Sequence, residues 1–489
     1  VPRRFALTLG AIAIAGAALR LYRLGFFSYG LDEILQAYWI HGSWKFFWSS
    51  LRFDAFHPPL DYLLDKLVEA LHPSDAARKL PAVAWGVGAV VALGLLLRRR
   101  GGPAAGLTAA CLLAFSPFHV RYSQELRPYS LALLLLCLSL VALERLLERQ
   151  TVLRLASLYL AALATAYTLY LAALVLGIAG FALLLEDARA PDSARRRAAR
   201  RCLAGSPVFG LALWIGYLPW WPVLVAASRR PPAAPVAPLT WARADRILSF
   251  FAFAPDDGYR LGGGGLLFLG LVAAGAGIAY RRRGLRFLAA WAGGGLLLIE
   301  ALGRLHPHYD FSRRFLPAGL ALPALAALPV AALVGSRVTR MIGAIVLAAV
   351  LVLDFAGLRT YFRQGRADWR PLAGYLRREA APDERVFTEN QYSQLCVAFY
   401  LVGPQWLFEA TAGGRPSRSV VNVEGRIGRL EAAWRPGRRA WLVLAGEPAA
   451  EALRRWASVF PALSFPQSER AVLRRLDPAL REAAQSPEE

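Results

Sequence analysis

The stretch "FALTLGAIAIAGAALRLYRLGFFSYGLDEILQAYW", residues 5–39, decides the class of this protein. It opens on an apolar run without a charge, 5–19, and closes on two adjacent carboxylates, Asp32 and Glu33. With its flank the run approaches the roughly 20 residues that carry a helix across a bilayer core. Arg3 and Arg4 precede it as the basic region of a signal peptide would. No small-residue cleavage site follows, so a retained first span, 5–24, is expected.

The rest of the chain repeats that pattern. It has 489 residues, 56% of them hydrophobic, where a soluble domain has about 45–50%; its mean hydropathy is +0.38. The excess sits in blocks separated by short charged or Pro-rich loops. Eleven spans are expected, near 5–24, 80–97, 104–119, 128–147, 153–167, 169–185, 204–227, 262–280, 287–303, 315–334 and 342–358. The net charge of +23 does not point to nucleic acid, because the arginines concentrate at 98–100, 195–201 and 281–286, each between two apolar blocks. That is the distribution of cytoplasmic loops. With the N-terminus inside, the loops 98–103, 144–154, 186–203, 281–286 and 335–341 all fall on the cytoplasmic side, and every arginine triplet lies among them. The four cysteines, Cys111, Cys137, Cys202 and Cys396, have no CxxC spacing and read as small core residues.

This topology leaves polar segments on the outer face at 25–79, 116–130 and 303–317, with a Pro- and Gly-rich linker at 228–261. After residue 358 helix-like and strand-like runs alternate. "DWRPLAGYLRREAA", "SQLCVAFYLV" and "EPAAEALRRWASVF" have helical spacing. "ERVFTE", "SVVNV", "RAWLVLAG" and "AVLRRL" read as strands. A small α/β domain, 359–489, is expected there, and an odd number of spans puts it outside the cell.

The outer segments hold the chemistry-bearing residues. Asp32 and Glu33 stand just past span one, followed by "LQAYWIHGSWKFFWSSLRF", which reads as an aromatic helix lying in the membrane interface. A plain structural role for the pair is helix capping, Asp32 as N-cap and Glu33 in the first turn. "FHPPL", 56–60, joins His57 to a rigid Pro-Pro pair. "SQELRPYS", 123–130, carries Glu125, Arg127 and Tyr129. "HPHYDFSRRFLP" carries His306, His308, Arg313 and Arg314 at the outer end of span ten. Arginine at an outer membrane face runs against the positive-inside trend, and an anion such as phosphate explains it, since planar guanidinium groups bind phosphate oxygens in pairs.

"LDE" after the first span, "HPPL" later in the same loop, "SQELRPYS" before span four and "RRFLP" opening a late span together resemble GT-C membrane glycosyltransferases. The resemblance covers essentially the whole chain and is to the group of protein O-mannosyltransferases and lipid A aminoarabinose transferases. It implies a catalytic membrane domain, 1–358, with its first outer loop at 25–79, and an inverting transfer of sugar from a polyprenyl-phosphate donor to a glycan, lipid or protein acceptor. It also implies a place in the bacterial cytoplasmic membrane with the reaction on its outer side. Carried over, Asp32 matches the catalytic base and Glu33 its neighbour, His57 the histidine of the HPP motif, and Arg127 the arginine of the second outer loop. Asp61 departs from the pattern, in which an aromatic residue often follows HPPL. The β-trefoil domains of eukaryotic mannosyltransferases are not visible.

The residue types suit that chemistry. Phosphate leaves as a stable anion, so displacement at an anomeric carbon needs one base for the incoming hydroxyl and cations around the departing phosphate. Arg127, Arg313 and Arg314 are the expected cations, with Arg78 and Lys79 as further candidates. His57, Glu125, Tyr129, His306 and His308 are expected to line the substrate pocket. A divalent metal could stand in for some of the cations. Asp32, Glu125 and the histidines could hold it, but their spacing matches no metal motif, so the sequence leaves the metal open. Two other readings share these features: a polymerase or ligase of lipid-linked glycans, and a transporter or flippase of lipid-linked sugars. Transporters tend to show inverted repeats and mid-span charges; no repeat is visible here.

Overall fold

The computed structural model of the chain describes residues 3–71, 74–229, 240–253, 263–305, 312–364, 368–407, 420–422, 427–434, 438–444, 462–465 and 471–476. The chain forms two compact units. Val1–Leu24, Leu51–Val68 and Ala76–Arg363 make the first, and Gly25–Ser50, Glu69–Asp75 and Gln364–Glu489 make the second.

The first unit is a polytopic helical membrane domain. Seven of its described helices are long and apolar enough to cross a bilayer, and nine if two bent pairs each count as one span. The bent pairs are Ser193–Tyr217 with Trp221–Ser228, turned by 88°, and Ser312–Gly319 with Ala321–Ala332, turned by 47°. Two of the eleven expected spans are shorter apolar helices, Pro103–Phe115 and Val152–Ala166. The 13 residues of the first cover about 20 Å, less than the roughly 30 Å hydrocarbon core. Pro117 starts a new short helix, Pro117–Tyr122, after the break at Ser116. Large apolar side chains such as Leu7, Ile14, Val208, Leu211 and Val352 are exposed on the spans, as a lipid solvent requires.

At the end of the bundle that carries the arginine triplets, the charges pair with each other. Arg100 donates to Asp187 through both terminal nitrogens at 3.0 and 2.8 Å and also pairs with Glu144. Arg195 bridges the same two acids at 2.8 and 3.0 Å. Glu186 accepts the backbone N–H groups of Gly284, Arg286 and Phe287 at 2.6, 3.2 and 3.3 Å. It thereby covers the start of the helix that Arg286–Ala289 opens. Four spans are thus tied at one membrane face by Arg100, Arg195, Glu144 and Asp187, whose charges cancel, and Glu186 joins a fifth to them.

Among the described residues the second unit contains a mixed sheet of five strands. Its strands are β1 (Arg385–Thr388), β2 (Val420–Asn422), β3 (Ala440–Leu444), β4 (Ala462–Phe465) and β5 (Ala471–Leu476). β1 pairs in parallel with β2 and β3, and β5 runs antiparallel to β3 and β4. The helices Arg370–Glu379 and Gln391–Leu401 fall where helical spacing places them. "EPAAEALRRWASVF" lies outside the described residues. Phe387, Leu430, Trp434, Leu442 and Leu476 form the core on the sheet.

The second unit also holds the segment after span one, which the sequence reading placed with the membrane domain. The single aromatic helix expected there is two helices, Leu31–His41 and Trp44–Asp54, because the backbone turns extended at Gly42 and Ser43 Oγ accepts the Phe46 N–H at 3.2 Å to start the second. The first of them is bound to the tail. Tyr29 donates its N–H to the Tyr400 hydroxyl at 2.6 Å, and the Tyr38 hydroxyl donates to the Leu395 carbonyl at 3.3 Å. Phe399 stands edge-on to Tyr38 at 5.3 Å. Arg370 donates to the carbonyls of Gly25, at 2.9 Å, and of Phe26.

Candidate active site

The segment 116–130 is the frame of the site in the membrane unit. Pro117–Tyr122 is a short helix, and the chain turns through 123–128 before Tyr129–Glu148 begins. This turn is fastened on three sides. Gln124 donates through Nε2 to the carbonyls of Arg20 and Tyr22 at 2.8 and 2.9 Å, at the end of span one. Its Oε1 accepts from the Tyr361 hydroxyl at 3.0 Å, in the last span. Ser130 Oγ donates to the Tyr122 carbonyl at 2.9 Å and closes the turn on itself.

Under the turn lies Arg20, fully buried. It donates to the carbonyls of Gly16 and Ala114 at 2.8 and 2.9 Å, to Ser123 Oγ at 3.1 Å and to His119 Nδ1 at 2.7 Å. A guanidinium has no acceptor, so His119 accepts through Nδ1 and its proton resides on Nε2. The close approach depends on Gly86, where a Cβ would stand 2.1 Å from Ser123 Oγ and 2.7 Å from Ser123 Cβ. Gly86→Ala is therefore expected to push Ser123 off Arg20 and lower stability by about 1–3 kcal/mol. A lowered melting temperature in detergent is the readout, and an unchanged one would mean that the turn shifts freely.

On this frame the sequence-predicted residues of the membrane unit converge. His57 lies in the loop between Trp44–Asp54 and Leu60–Leu71. That loop is anchored by Leu60 N–H to the Tyr167 carbonyl at 2.9 Å and by the Tyr170 hydroxyl to the Ala55 carbonyl at 3.3 Å. The imidazole stands edge-on to Tyr129 at 6.0 Å, and Tyr129 in turn to Tyr122 at 5.1 Å. Desolvation, and after it the charges of Arg127 and Arg313, hold His57 well below the usual imidazole range, so it is neutral at neutral pH. Its Nδ1 is buried and has no hydrogen-bond partner among the described residues. Glu125 is 3.3 Å from Arg121, whose guanidinium lies over the Tyr122 ring. Burial raises the Tyr122 hydroxyl, which also feels Arg121, Glu125, Arg313 and Tyr129. His57, Glu125, Arg127, Tyr129 and Arg313 therefore share one neighbourhood. Arg314 packs over Gly303, where a Cβ would meet its guanidinium at 2.6 Å.

Arg78 and Lys79 are both buried at the start of Asp75–Gly101, Lys79 with 1% exposure. Lysine is almost never buried without partners, so a cation so placed marks a built environment. His306 and His308 lie outside the described residues. Among the described residues no three His, Cys, Asp or Glu side chains gather as a metal set.

Asp32 and Glu33 belong to the second unit. The N-cap of their helix is Gly30, and the Glu33 carboxylate reaches back to accept the Gly30 N–H at 3.0 Å. The capping role expected of Asp32 falls to Glu33, which is buried, while Asp32 is half-buried one position earlier. The sequence reading gave no site role to Arg20, Ser123, Gln124 or the buried acids Asp61 and Asp65, which stand one turn apart on Leu60–Leu71. The signal for Ser123 and Gln124 was present in "SQELRP", where they precede the charges.

This architecture occurs in known proteins. ArnT from Cupriavidus metallidurans bound to undecaprenyl phosphate is 13% identical, has a TM-score of 0.59, and the likeness covers 100% of both chains. The fold is the GT-C fold. The same ArnT in the apo state matches with a TM-score of 0.53 and 13% identity over 88% of this chain and 89% of that one. Residues 56–220 match the family model of dolichyl-phosphate-mannose-protein mannosyltransferase. That GT-C stretch contains His57, Lys79, Glu125, Arg127 and Tyr129 but neither Asp32 nor Arg313. No curated protein sequence matches the chain.

Proposed function

We propose that this chain is an inverting glycosyltransferase that moves a sugar from a polyprenyl-phosphate-linked donor to an acceptor on the outer side of the membrane. The observation that carries the reading is the convergence of Arg127 and Arg313 on a neutral His57 within a GT-C fold. Two guanidinium charges close to one site favour a multiply charged anion. The donor supplies it as phosphate held at headgroup depth by its polyprenyl tail.

In the proposed step the acceptor hydroxyl attacks the anomeric carbon from the side opposite the phosphate, which inverts that centre. Asp32 takes the hydroxyl proton. The bond between the anomeric carbon and the phosphate oxygen breaks, and polyprenyl phosphate departs with the added negative charge. Arg127, Arg313 and Arg314 stabilise that charge, with Arg78 and Lys79 in support. Neutral His57, with Glu125 and Tyr129, binds the sugar. The N-terminus lies in the cytoplasm and the C-terminal domain outside, in the bacterial cytoplasmic membrane.

The test is release of polyprenyl phosphate from a radiolabelled lipid-linked sugar by the purified protein, with fractionated envelope extract as the source of acceptor. Label passing to a new product together with polyprenyl phosphate release supports the transferase. Lipid-linked sugar that crosses a proteoliposome membrane intact supports a flippase instead. For the topology, reporter fusions after residues 100, 200 and 285 are expected to report cytoplasm, and one after residue 365 the exterior. A cytoplasmic signal at 365 overturns the odd number of crossings.

A further inference from the structure

At the arginine-rich end of the membrane unit, three helices enclose a groove of about 540 Å³, within the roughly 300–1,000 Å³ of ordinary ligand pockets. The helices are Asp75–Gly101, Tyr129–Glu148 and Val152–Ala166. The groove is far from the histidine and arginine cluster. Arg145 on its rim is 16 residues beyond Tyr129 on the same helix, which is about 24 Å.

The groove is amphipathic along its length. Its walls are apolar, formed among others by Leu95, Leu138, Val141, Ala142 and Ala161. The hydroxyl of Ser157, on the same wall, is turned to the Leu153 carbonyl of its own helix. Arg99, Arg145, Arg154 and Glu148 form the rim. Glu148 pairs with Arg99 and stands 3.8 Å from Arg154, so one acid faces three cations. The side chain of Arg145 makes no hydrogen bond or ion pair among the described residues, while its carbonyl accepts from Arg154. Leu138 and Leu153 are exposed at the mouth, so the groove opens to the side that faces acyl chains.

We propose that this groove binds an anionic phospholipid of the surrounding leaflet, its acyl chain along the apolar walls and its phosphate at Arg145 and Arg154. A free anion would leave the apolar walls in contact with water, and an uncharged lipid would leave the surplus positive charge unanswered. A membrane lipid with a net negative head meets both requirements. The groove lies at the membrane face opposite the proposed chemistry, so its occupant is a structural lipid and not the donor.

Full-length protein in detergent, stripped of lipid, would be titrated with phosphatidylglycerol or phosphatidylethanolamine in mixed micelles and bound lipid counted by native mass spectrometry. Phosphatidylglycerol is expected to bind severalfold more tightly. Arg145→Gln combined with Arg154→Gln should weaken it by about tenfold or more, as loss of charge-assisted contacts to phosphate implies. Ala142→Trp, which fills the groove, should exclude both lipids, with the melting temperature as a control for folding. Equal retention of the two lipids overturns the proposal, as does full phosphatidylglycerol binding in the double variant. Displacement of the lipid by millimolar inorganic phosphate alone also overturns it, since that would mark a simple anion site.

Discussion

Asp32→Asn is expected to lose about 10²–10⁴-fold in turnover, the usual contribution of a general base, while its melting temperature stays close to that of the wild type. The geometry makes this substitution cleaner than the sequence implied. The helix cap is supplied by the Glu33 carboxylate on the Gly30 N–H, so a change at Asp32 leaves it in place. A purely structural Asp32 would act only through its charge near the helix start, worth about 0.3–1 kcal/mol. In that case Asn would lower the melting temperature slightly and spare turnover. The companion change Glu33→Gln keeps an oxygen for the Gly30 N–H and is expected to be mild. Normal turnover in Asp32→Asn, with donor consumed at the wild-type rate, would remove Asp32 from the mechanism. The buried pair Asp61 and Asp65 would then be the next acids to replace.

The second large effect is expected at the arginines. Arg127→Ala and Arg313→Ala should each reduce donor use by about ten- to a hundredfold, since a charge-assisted hydrogen bond to phosphate is worth about 1.5–3 kcal/mol. The loss should appear mainly when donor is limiting. Arg313→Lys should restore only part, because a point charge does not reproduce the planar fork. The effect on His57 supplies a second readout. Both arginines depress its protonation, so removing either should move its titration upward toward the ordinary imidazole range. Wild-type donor affinity in both Ala variants would reduce these residues to interfacial anchors.

The membrane class was legible because its signals are long and redundant. Each arginine triplet sits between apolar blocks, and the seven clear spans follow hydropathy alone. The four strands read from "ERVFTE", "SVVNV", "RAWLVLAG" and "AVLRRL" appear as β1, β2, β3 and β5. β4, "ALSF", has no β-branched residue and lies between Pro461 and Pro466, so it does not stand out as a strand. The fastening of the turn 123–128 was hidden for a different reason. Arg20 looks like an ordinary basic flank of a span, and only the tertiary fold shows it buried beneath Ser123 and His119. The helix cap was misread because Gly30 and Asp32 are both acceptable start residues, and the choice depends on Glu33 folding back. The association of "LDE" with the tail has no local signature, since Tyr38 and Leu395 are joined only by the fold.

That last contact sets an order of events during synthesis. The helix Leu31–His41 emerges early, but its partner Gln391–Leu401 follows about 350 residues later. At roughly 5–20 residues per second the interval is about 18–70 seconds. Through that time the Tyr29 N–H and the Tyr38 hydroxyl lack their eventual partners, and the acid proposed as base rides on an undocked segment. On the proposal that Asp32 is the base, the site is complete only once this tail helix has been made, and a product truncated before Gln391 is expected to show no turnover.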